Sequence, residues 1–472
     1  MRSQRSFEES LDAVLQARIG GCRGLVSAER LSGGASQETY RLVIRTDAGE
    51  RKLAMRRAPG AVSPSTGQAG LVTEAMLMRA AREASVPEPE ILHVLAPEDG
   101  LGEGFVMEWL EGETLGAKIV RDPSLDAIRP MLAEQCGEIL ARIHSIDLRA
   151  SGLESQLARQ SPEQYVRQTW QRYQALHTPQ PMIDFSARWL LEHLPAGFAP
   201  TLVHNDFRNG NIMVSPKGVV AVLDWEIAHI GDPMRDLGWI CTNSWRFGRS
   251  DLPVGGFGRY EDLFRGYEQA SGRKVDPERV KFWEVFGSFW WSVGCLGMAE
   301  HYRTGPDKSV ERAAIGRRTS ECQVDCVNLL IPGPVALRSP AGEMSSIDMP
   351  RIDELVTSVR DYLREDVMKA TTGRTNFLAR VACNSLDVVL RELAVGNQLR
   401  SLQADRLRRL LEQDGDLESL RLTLVSRLRE NEISLDHPGL AEYLRESVVN
   451  QVAIDQPGYS GFKTALANAR PR

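Results

Sequence analysis

The amino-acid sequence predicts an α+β fold, in which a strand-rich segment is followed by a mainly helical remainder. Short runs of alternating apolar residues, separated by turn signals, fill residues 24–110 around one internal helical pattern at 71–84. From residue 115 to about residue 330, apolar residues recur at helical spacing, except at a predicted hairpin over 211–224. The order of these patterns predicts a small sheet unit joined to a larger helical part.

The first 110 residues begin with a predicted amphipathic helix at 7–20, in which Phe7, Leu11 and Leu15 share one side. The sequence Val-Pro-Glu-Pro at 86–89 ends the later helix, because proline cannot continue it. Five segments are predicted to be strands: 25–31, 38–46, 52–57, 90–96 and 104–110.

The last third of the chain begins with a break in periodicity. Residues 331–350 are rich in proline, glycine and serine, which is typical of a linker. Helical spacing returns over 351–450, and the residues from Tyr459 onward are predicted to form a loose tail. We therefore expect four parts, with the bounds 1–110, 111–330, 331–350 and 351–472.

Composition limits the functions to consider. The 472 residues carry a net charge of −6, which gives no reason to expect nucleic acid or an anionic membrane as a partner. The seven cysteines are scattered without zinc or redox spacing, which favours reduced thiols. Residues 1–10 lack the apolar region of a signal peptide, and no segment approaches the roughly 18 apolar residues of a membrane span. These observations predict a cytoplasmic protein without membrane insertion.

One short segment in the middle of the chain carries the clearest chemical pattern. Asp206 lies on a predicted loop, and two apolar strands then surround a turn that contains proline and glycine, the pattern of a β-hairpin. Pairing about that turn places Asn211 opposite residue 222 or 223. Asn211 and Asp224 should therefore lie together at the open end of the hairpin, beside Asp206.

Two carboxylates and an amide in this arrangement suit phosphoryl transfer. A hard cation that neutralises nucleotide phosphates prefers oxygen ligands such as a carboxylate and an amide carbonyl. A second carboxylate can orient the attacking hydroxyl and accept its proton, which typically contributes ~10²–10⁴ in rate. A His-x-Asp pair alone is common by chance. The joint spacing of four residues is more specific: His204, Asp206, Asn211 and Asp224.

Three runs of sequence resemble the aminoglycoside phosphotransferase family. They are Val-His-Asn-Asp-Phe-Arg-Asn-Gly-Asn-Ile-Met-Val at 203–214, Val-Leu-Asp-Trp-Glu at 222–226 and Gly-Asp-Pro-Met-Arg-Asp-Leu-Gly-Trp at 231–239. The family also resembles choline kinases and has a protein-kinase-like fold, and the likeness covers about residues 25–330. The resemblance implies an antiparallel-sheet N-lobe and a mainly helical C-lobe, with ATP and Mg²⁺ between them.

The resemblance also implies a role for each residue of the pattern. Asp206 is expected to be the catalytic base, and Asn211 and Asp224 are expected to be the Mg²⁺ ligands. One departure from the family is Asn205, where glycine is common. Three further residues are expected to support the loop structurally: His204, Asp232 and Asp236.

Phosphate-binding residues are expected near the start of the N-lobe. Gly33 and Gly34, between two predicted strands, would let backbone N–H groups approach phosphates, and the small Ser36 would leave room for them. A Gly-Gly turn is more often a plain hairpin connection. Beside the catalytic hairpin, however, it resembles the phosphate loop of the family.

A positive charge for the phosphates is expected at Arg56, at the end of the third predicted strand. Kinases commonly have lysine here, and arginine supplies the same charge as a planar fork. Glu74, on the following predicted helix, is its expected partner, although a plain surface ion pair is the alternative. Residues 105–112 resemble the hinge, in which the backbone around Glu108 and Leu110 would bind the adenine.

Candidate acceptor-binding residues lie on the helices after the metal-binding hairpin: Arg246, Trp290 and Arg303. Aromatic residues at this spacing most often belong to a core, but a pocket wall is also compatible. This segment has no acidic cluster of the kind that binds a polycationic aminoglycoside, and its arginines suit an anion. The sequence around Asp224 resembles the kinase-like domains associated with acyl-CoA dehydrogenases, which implies a hydroxy acid or a hydroxyacyl-CoA as the substrate.

The C-terminal 120 residues resemble a helical domain of unknown function that accompanies such kinases. Their pattern predicts an amphipathic bundle that could contact a second copy or an acyl-CoA dehydrogenase. Two other functions stay open. One is a nucleotide-binding pseudokinase scaffold in acyl-CoA catabolism, suggested by Arg56, and the other is an aminoglycoside or choline-type kinase. No Asp-Phe-Gly or Ala-Pro-Glu sequence follows the catalytic loop, which disfavours a protein kinase.

Overall fold

A computed structural model describes residues 6–33, 37–58, 69–340 and 349–468. The chain forms two compact units. The first comprises Met1–Ser161, Ala196–Cys241 and Trp245–Trp283, and the second comprises Pro162–Pro195, Thr242–Ser244 and Glu284–Arg472. The strands are β1 (Cys22–Gly33), β2 (Glu38–Thr46), β3 (Gly49–Ala58), β4 (Ile91–Val94), β5 (Glu103–Glu108), β6 (Thr201–Val203), β7 (Ile212–Ser215), β8 (Gly218–Val222) and β9 (His229–Gly231).

Helices make up most of the remaining described structure. Within the described part of the chain, no helix combines the length and the apolar character needed to cross a bilayer. The helices are α1 (Phe7–Arg18), α2 (Leu71–Glu83), α3 (Gly116–Arg121), α4 (Leu132–His144), α5 (Pro162–Gln174), α6 (Pro181–Glu192), α7 (Met234–Cys241), α8 (Tyr260–Ser271), α9 (Pro277–Thr304), α10 (Val310–Arg317), α11 (Thr319–Leu330), α12 (Ile352–Tyr362), α13 (Met368–Ala370), α14 (Gly373–Leu411), α15 (Leu417–Arg429), α16 (Leu440–Asp455) and α17 (Ser460–Asn468).

The first five strands form one antiparallel sheet in the order β1-β2-β3-β5-β4. Leu42 and Ile44 on β2 and Leu53 on β3 are fully buried, because alternate residues of a strand face the same side of the sheet. Helix α1 adds Leu11 and Leu15 to the same core. The five strands predicted from alternation are therefore confirmed, and their ends lie within a few residues of the predicted ones.

The hairpin formed by β7 and β8 has the expected register. Ile212 pairs with Val222, and the N–H of Leu223 donates to the carbonyl of Asn211 at 2.7 Å. This pairing brings Asn211 and Asp224 to the open end of the hairpin. The turn sets the pairing of Ser215 with Gly218, and an irregularity between Met213 and Val214 shifts the register by one residue before the open end.

Two glycines let helices α4 and α8 of the first unit pack at close range. A Cβ atom at Gly137 would lie 2.2 Å from the carbonyl oxygen of Leu263, and one at Gly266 would lie 2.1 Å from that of Glu134. Any side chain at these positions would collide with the backbone of the facing helix. The close crossing fixes α4, which carries His144 to the base of the loop described below.

The second unit is helical and has a core of its own. Its fully buried residues include Leu407 on α14, Leu424 on α15 and Val449 on α16. Phe462 and Ala465 on α17 join the same core. The prediction of a loose tail from Tyr459 onward is therefore wrong as far as residue 468, because an apolar face of this segment packs against α11 and α16.

The segment after α11 has no regular secondary structure but is attached to α16. Arg445 donates to the carbonyls of Ile331 and Pro334, at 2.8 and 3.2 Å. Asn450 donates to the carbonyl of Ala336 at 3.1 Å and accepts from the backbone N–H of Arg338 at 3.1 Å. Residues 331–338 thus lie along a helix rather than free of it.

The division into two units does not follow the bounds expected from the sequence. The second unit joins residues 162–195 and 284–330 to the C-terminal helices, whereas the sequence pattern placed both stretches in the part before the linker. The reason is that α6 and α11 share the buried core of the C-terminal helices, through residues such as Phe185 and Val324. The four-part division itself stays a prediction.

Candidate active site

The loop of residues 204–211 connects β6 to β7, and its first two backbone N–H groups are fixed by one carboxylate. The N–H groups of His204 and Asn205 donate to Asp236 at 2.9 and 2.7 Å. Asp236 is fully buried on α7, where His144 Nε2 lies 3.0 Å from it. Burial alone would raise the pKa of Asp236, but hydrogen bonding by His144 and by the loop lowers it overall. An ionised, buried carboxylate therefore holds the start of the loop.

Asn205 has a left-handed backbone conformation, with φ of +70°. Asparagine tolerates this conformation better than most residues, and glycine adopts it without strain. The Asn205 side chain is anchored as well, because it donates to the carbonyl of Ile227 at 3.1 Å and accepts from Arg235 Nε at 3.0 Å. The departure from the glycine common in the family is thus accommodated by the local geometry.

The carboxylate of Asp206 accepts hydrogen bonds from three side chains. Arg208 approaches both oxygens, at 2.9 and 3.1 Å. Trp239 Nε1 donates to one oxygen at 2.7 Å, and Asn211 Nδ2 donates to the other at 2.5 Å. The sequence analysis did not identify Arg208 or Trp239 as site residues. The proximity of Arg208 to Asp206 in sequence could have indicated the first, whereas the second comes from α7 through tertiary packing.

Asn211 and Asp224 offer oxygen atoms at the hairpin's open end. Both Asn211 hydrogen bonds to Asp206 use the amide nitrogen, so the amide oxygen is the atom that could bind a cation. Asp224 has φ of +68°, and its side chain is about one-third exposed. Arg56 Nη2 lies 3.6 Å from the carboxylate of Asp224. The structure therefore brings Asp206, Asn211 and Asp224 to the same end of the hairpin and adds Arg56.

Arg56 also forms the predicted pair with Glu74. Its Nη1 lies 2.5 Å from Glu74 Oε1, and its Nη2 donates to Gln37 at 2.8 Å. Glu74 is almost completely buried on α2, so this is not a plain surface ion pair. The pKa of Glu74 is raised to about 7 overall, mainly by burial, while the charge of Arg56 lowers it and the charges of Asp224 and Glu226 raise it.

Glu226, two residues after Asp224, is a further carboxylate that the sequence analysis did not select. Burial raises the pKa of Glu226, and the negative charge of Asp224 raises it as well. No group of three or more histidine, cysteine, aspartate or glutamate side chains within 6–33, 37–58, 69–340 and 349–468 has the geometry of a metal cluster. Besides burial, the negative charge of Asp224 contributes to the raised pKa of both Glu74 and Glu226, and this charge favours binding of a cation.

His204 is buried within the loop, as expected for a residue of structural support. Its Nδ1 accepts from the backbone N–H of Asp206 at 3.2 Å, and its Nε2 lies 3.2 Å from the carbonyl of Leu223. Burial lowers the pKa of His204, which favours the neutral ring. A neutral ring can accept at one nitrogen and donate at the other, and this matches the two contacts.

Asp232 is placed differently from the expectation that it braces the same loop. It accepts from Arg279 Nη2 at 2.5 Å and from Trp283 Nε1 at 2.9 Å, both on α9. It also caps the start of α7 by accepting from the backbone N–H of Met234 at 3.0 Å. The direct contact with the loop therefore belongs to Asp236, while Asp232 joins the start of α7 to α9.

Two of the remaining nucleotide-binding candidates, Gly33 and Glu108, are the last residues of sheet strands. Gly33 is the last residue of β1 and pairs with Glu38, while Gly34 and Ser36 lie outside the described residues. Glu108 is the last residue of β5, where its backbone N–H donates to the carbonyl of Glu90 at 2.9 Å. Leu110 follows it as a partly buried residue outside the strand.

The three acceptor-binding candidates do not belong to one compact unit. Arg246 lies in the first unit, where its guanidinium donates twice to the carbonyl of Cys241, at 3.0 and 2.6 Å. Trp290 and Arg303 lie on the part of α9 that belongs to the second unit. Arg303 is exposed and lines a cavity of that unit.

A known protein family matches most of the region that contains the site. A model of the phosphotransferase enzyme family matches residues 27–273, which is 247 of the 472 residues. The chain belongs to this phosphotransferase family. The matched range of the phosphotransferase includes Asp206, Asn211 and Asp224. A second model, a domain of unknown function (DUF6285), matches residues 369–459.

Curated relatives of the phosphotransferase include acyl-CoA dehydrogenase family members. Member 10 of Mus musculus is 30% identical over 336 residues, which cover 66% of the chain and 30% of that protein. Member 11 of Gallus gallus is 33% identical over 258 residues, which cover 51% of the chain and 31% of that protein. Member 11 of Pongo abelii is 24% identical over 463 residues, which cover 92% of the chain and 56% of that protein. The phosphotransferase thus spans about a third to a half of the length of these relatives.

A solved structure confirms the fold. The crystal structure of a Ralstonia eutropha protein assigned as an aminoglycoside phosphotransferase is 24% identical, with a TM-score of 0.54. The match covers 67% of this phosphotransferase and 95% of that protein. The predicted α+β architecture, with a kinase-like antiparallel sheet followed by helices, is therefore confirmed, and so is the resemblance to this family.

Proposed function

We propose that this phosphotransferase is an ATP- and Mg²⁺-dependent kinase that transfers the γ-phosphoryl group to a hydroxyl of a small molecule. The observation that carries the proposal is the cluster at the open end of the hairpin. There Asp206 and Asn211 are in contact at 2.5 Å, and Asp224 lies 3.6 Å from Arg56. A carboxylate that can accept a proton, oxygen donors for a cation and a guanidinium for phosphates are the groups that phosphoryl transfer needs.

The donor set fits Mg²⁺. The amide oxygen of Asn211 and the carboxylate of Asp224 would hold the ion, and Glu226 supplies a further carboxylate nearby. Mg²⁺ usually binds through one or two carboxylates together with substrate phosphates, and it would neutralise phosphate charge during transfer. The negative charges that raise the pKa values of Glu74 and Glu226 are those that a divalent cation would stabilise.

Asp206 would accept the proton of the acceptor hydroxyl. Trp239 and Asn211 orient its carboxylate, since each donates to a different oxygen. Arg208 would exchange its contact with Asp206 for the γ-phosphoryl group, because a phosphate offers a guanidinium the same bidentate geometry as a carboxylate. Loop residues would thus supply both the base and a positive charge beside the reacting oxygen.

Arg56 would bind the α- and β-phosphates in place of the usual lysine. Its guanidinium is held by Glu74 and Gln37, which leaves its orientation fixed before the nucleotide arrives. The backbone around Glu108 and Leu110 would bind the adenine edge. Gly33, the last residue of β1, would approach the phosphates, and the same role is proposed for Gly34 and Ser36, which lie outside the described residues.

The acceptor that we propose is a hydroxy acid or its CoA thioester. Support comes from the relatives named acyl-CoA dehydrogenase family members 10 and 11, which are 30% and 33% identical over the matched regions. An acyl-CoA dehydrogenase or a second copy of the chain would then be the partner of the C-terminal helices. Arg246, Trp290 and Arg303 remain the candidate acceptor contacts.

An ADP-release screen tests this function. Purified protein with ATP and Mg²⁺ is offered hydroxy acids, hydroxyacyl-CoAs, amino alcohols and aminoglycosides, and we expect turnover only with the first two classes. Asp224→Asn should abolish Mg²⁺-dependent turnover, whereas the matched control Asp47→Asn, on the exposed turn between β2 and β3, should leave it unchanged. Turnover of aminoglycosides alone would exclude the proposed acceptor.

A second function is a nucleotide-binding pseudokinase that acts as a scaffold. The observation in its favour is that both oxygens of Asp206 already accept hydrogen bonds from protein donors. This alternative predicts tight ATP binding without ADP release for any hydroxyl acceptor. The same screen, combined with a direct measurement of ATP binding, distinguishes the two functions.

A further inference from the structure

The second unit contains a cavity that is lined by none of the residues assigned to catalysis, metal binding or nucleotide binding, although the candidate acceptor contact Arg303 is among its lining residues. Its volume is about 480 Å³, which lies within the usual range for sites that bind small molecules. Residues from the start of α6, the end of α9, helices α10 and α11, and the facing sides of α15 and α16 line it. All of them belong to the second unit.

Arg421 gives this cavity a positive charge that no carboxylate of the described residues neutralises within 4.0 Å. Its Nη2 donates to Gln403, but its Nε is buried and has no hydrogen-bond partner among the described atoms. A buried donor on a charged group is costly when it stays unpaired. The side chain of Arg421 also forms a hydrogen bond with Tyr443, which lines the same cavity, but neither Gln403 nor Tyr443 neutralises its charge, so a negatively charged acceptor in the cavity fits it best.

Two further arginines line the cavity, and they differ in whether a carboxylate neutralises them. Arg317 is paired with Asp455 at 2.7 Å and with Glu392 at 3.1 Å. Asp455, the one carboxylate among the lining residues of the cavity, is thus already neutralised. Arg303 is exposed at the rim and has no carboxylate within 4.0 Å in the described ranges. The cavity consequently carries a surplus of positive charge.

The rest of the wall is apolar with a few hydrogen-bonding groups. Met182, Leu296, Ala299 and Val448 contribute apolar surface. Gln323 is buried, and its amide nitrogen donates to Gln180 at 3.2 Å and to Thr319 at 3.3 Å. A ligand that matches this wall has an apolar body and an anionic end.

A larger groove of about 730 Å³ adjoins the cavity and shares Ala313, Arg317 and Asp455 with it. Phe377 and Val389 are among its apolar lining residues. Each of its five carboxylates is paired with an arginine, so the groove offers apolar surface without an unpaired negative charge. The carboxylates are Glu311, Glu321, Asp387, Glu392 and Asp455.

The geometry points to a binding site for an amphipathic organic carboxylate in the second unit. The carboxylate end binds the guanidinium of Arg421, with Arg303 at the rim, and the apolar chain lies against Met182, Leu296 and Val448. A longer chain extends past Arg317 into the adjoining groove. This site contains none of the residues assigned to the base, the Mg²⁺ ligands or the nucleotide contacts, so binding to it needs neither ATP nor Mg²⁺.

Isothermal titration of the full chain with octanoate, without nucleotide, tests the site. Octanamide has the same chain and a neutral end, and it should bind about tenfold more weakly. Arg421→Met should weaken octanoate binding by about 10- to 100-fold, the usual range for a hydrogen bond to a charged group. Arg409→Met is the matched control, because Arg409 is exposed on α14 and does not line the cavity. It should bind octanoate as the wild type does.

Two further variants keep the test decisive if Arg421→Met fails to fold. Arg303→Met changes an exposed residue and should weaken octanoate binding by a few fold, with less effect at high salt. Ala299→Leu should fill part of the cavity and weaken octanoate and octanamide alike. Dodecanoate should bind more tightly than butanoate, because its chain reaches the groove. Equal binding of octanoate and octanamide, or an unchanged affinity in both the Arg303→Met and Ala299→Leu variants, would overturn the proposal.

Discussion

Replacing Asp206 by asparagine tests the proposed base with little change in shape. The carboxylate accepts hydrogen bonds from Arg208, Trp239 and Asn211, so its two oxygens serve four donor contacts. Asparagine keeps one acceptor oxygen, and its amide nitrogen must face at least one of these donors. Arg208 can turn away because its side chain is about one-quarter exposed, so the fold of the loop should survive.

We expect Asp206→Asn to lower kcat because it removes the proton acceptor, not because it destabilises the folded protein. Loss of a general base typically lowers the rate by ~10²–10⁴, which is about 3–5 kcal/mol of activation free energy at about 1.36 kcal/mol per decade. We therefore expect kcat of Asp206→Asn to fall within this range. ATP affinity should change by less than about threefold, because the phosphate contacts are assigned to Arg56, Arg208 and the Mg²⁺ ligands rather than to Asp206.

The assay measures ADP release with the best acceptor from the screen and measures ATP binding separately by calorimetry. Asp47→Asn controls for the loss of an exposed carboxylate elsewhere in the same unit. A kcat within threefold of the wild type would refute the assignment of Asp206 as the base. A parallel loss of ATP binding and of thermal stability would show instead that Asp206 has a structural role.

Three further changes test how the site is held in place. Asp236→Asn removes one of the acceptors that hold the loop's first N–H groups, and it should cost about 1–3 kcal/mol in urea unfolding and lower kcat more than ATP affinity. His229 should make stability depend on pH, because burial lowers its pKa to about 4 from the usual 6.5. The unfolded chain gains this proton first, so the stabilisation is complete above pH 6.5, is lost as pH falls to 4, and amounts to about 3 kcal/mol. His229→Phe should lack this component in unfolding measured at pH 7 and pH 4. Gly137→Val should destabilise by about 1–3 kcal/mol or more, measured as a fall in Tm, because its Cβ would lie 2.2 Å from the carbonyl of Leu263.

The strands and the hairpin could be predicted from the sequence, because they depend on residues that are close together in the chain. Alternation located the strands of the sheet, and the turn residues predicted, to within the one-residue shift after Met213, the hairpin pairing that brings Asn211 and Asp224 together. The pair of Arg56 and Glu74 was also predictable, because in kinases a basic residue on the third strand forms an ion pair with a glutamate on the following helix. Each of these inferences needs only a short stretch of sequence or a family pattern.

The contacts that could not be predicted join residues far apart in the chain. Trp239, on helix α7, donates to Asp206 on the loop. Asp232 accepts from Arg279 and Trp283 on α9 rather than contacting the loop. The same reason explains why α17 was predicted to be a loose tail, because its short apolar face packs against helices that are distant in sequence or not identifiable from it. It also explains the cavity around Arg421, since no periodic pattern indicates which helices will leave a space between them.

The contacts of Asp206 also suggest an order of substrate binding. An acceptor hydroxyl can reach this carboxylate only if one protein donor leaves it. Trp239 is fully buried and Asn211 nearly so, whereas Arg208 is partly exposed and has a flexible side chain. A γ-phosphate would attract the guanidinium and thereby release an oxygen of Asp206. We therefore expect ATP to bind before the acceptor, because the nucleotide would open the base to the hydroxyl that it has to deprotonate.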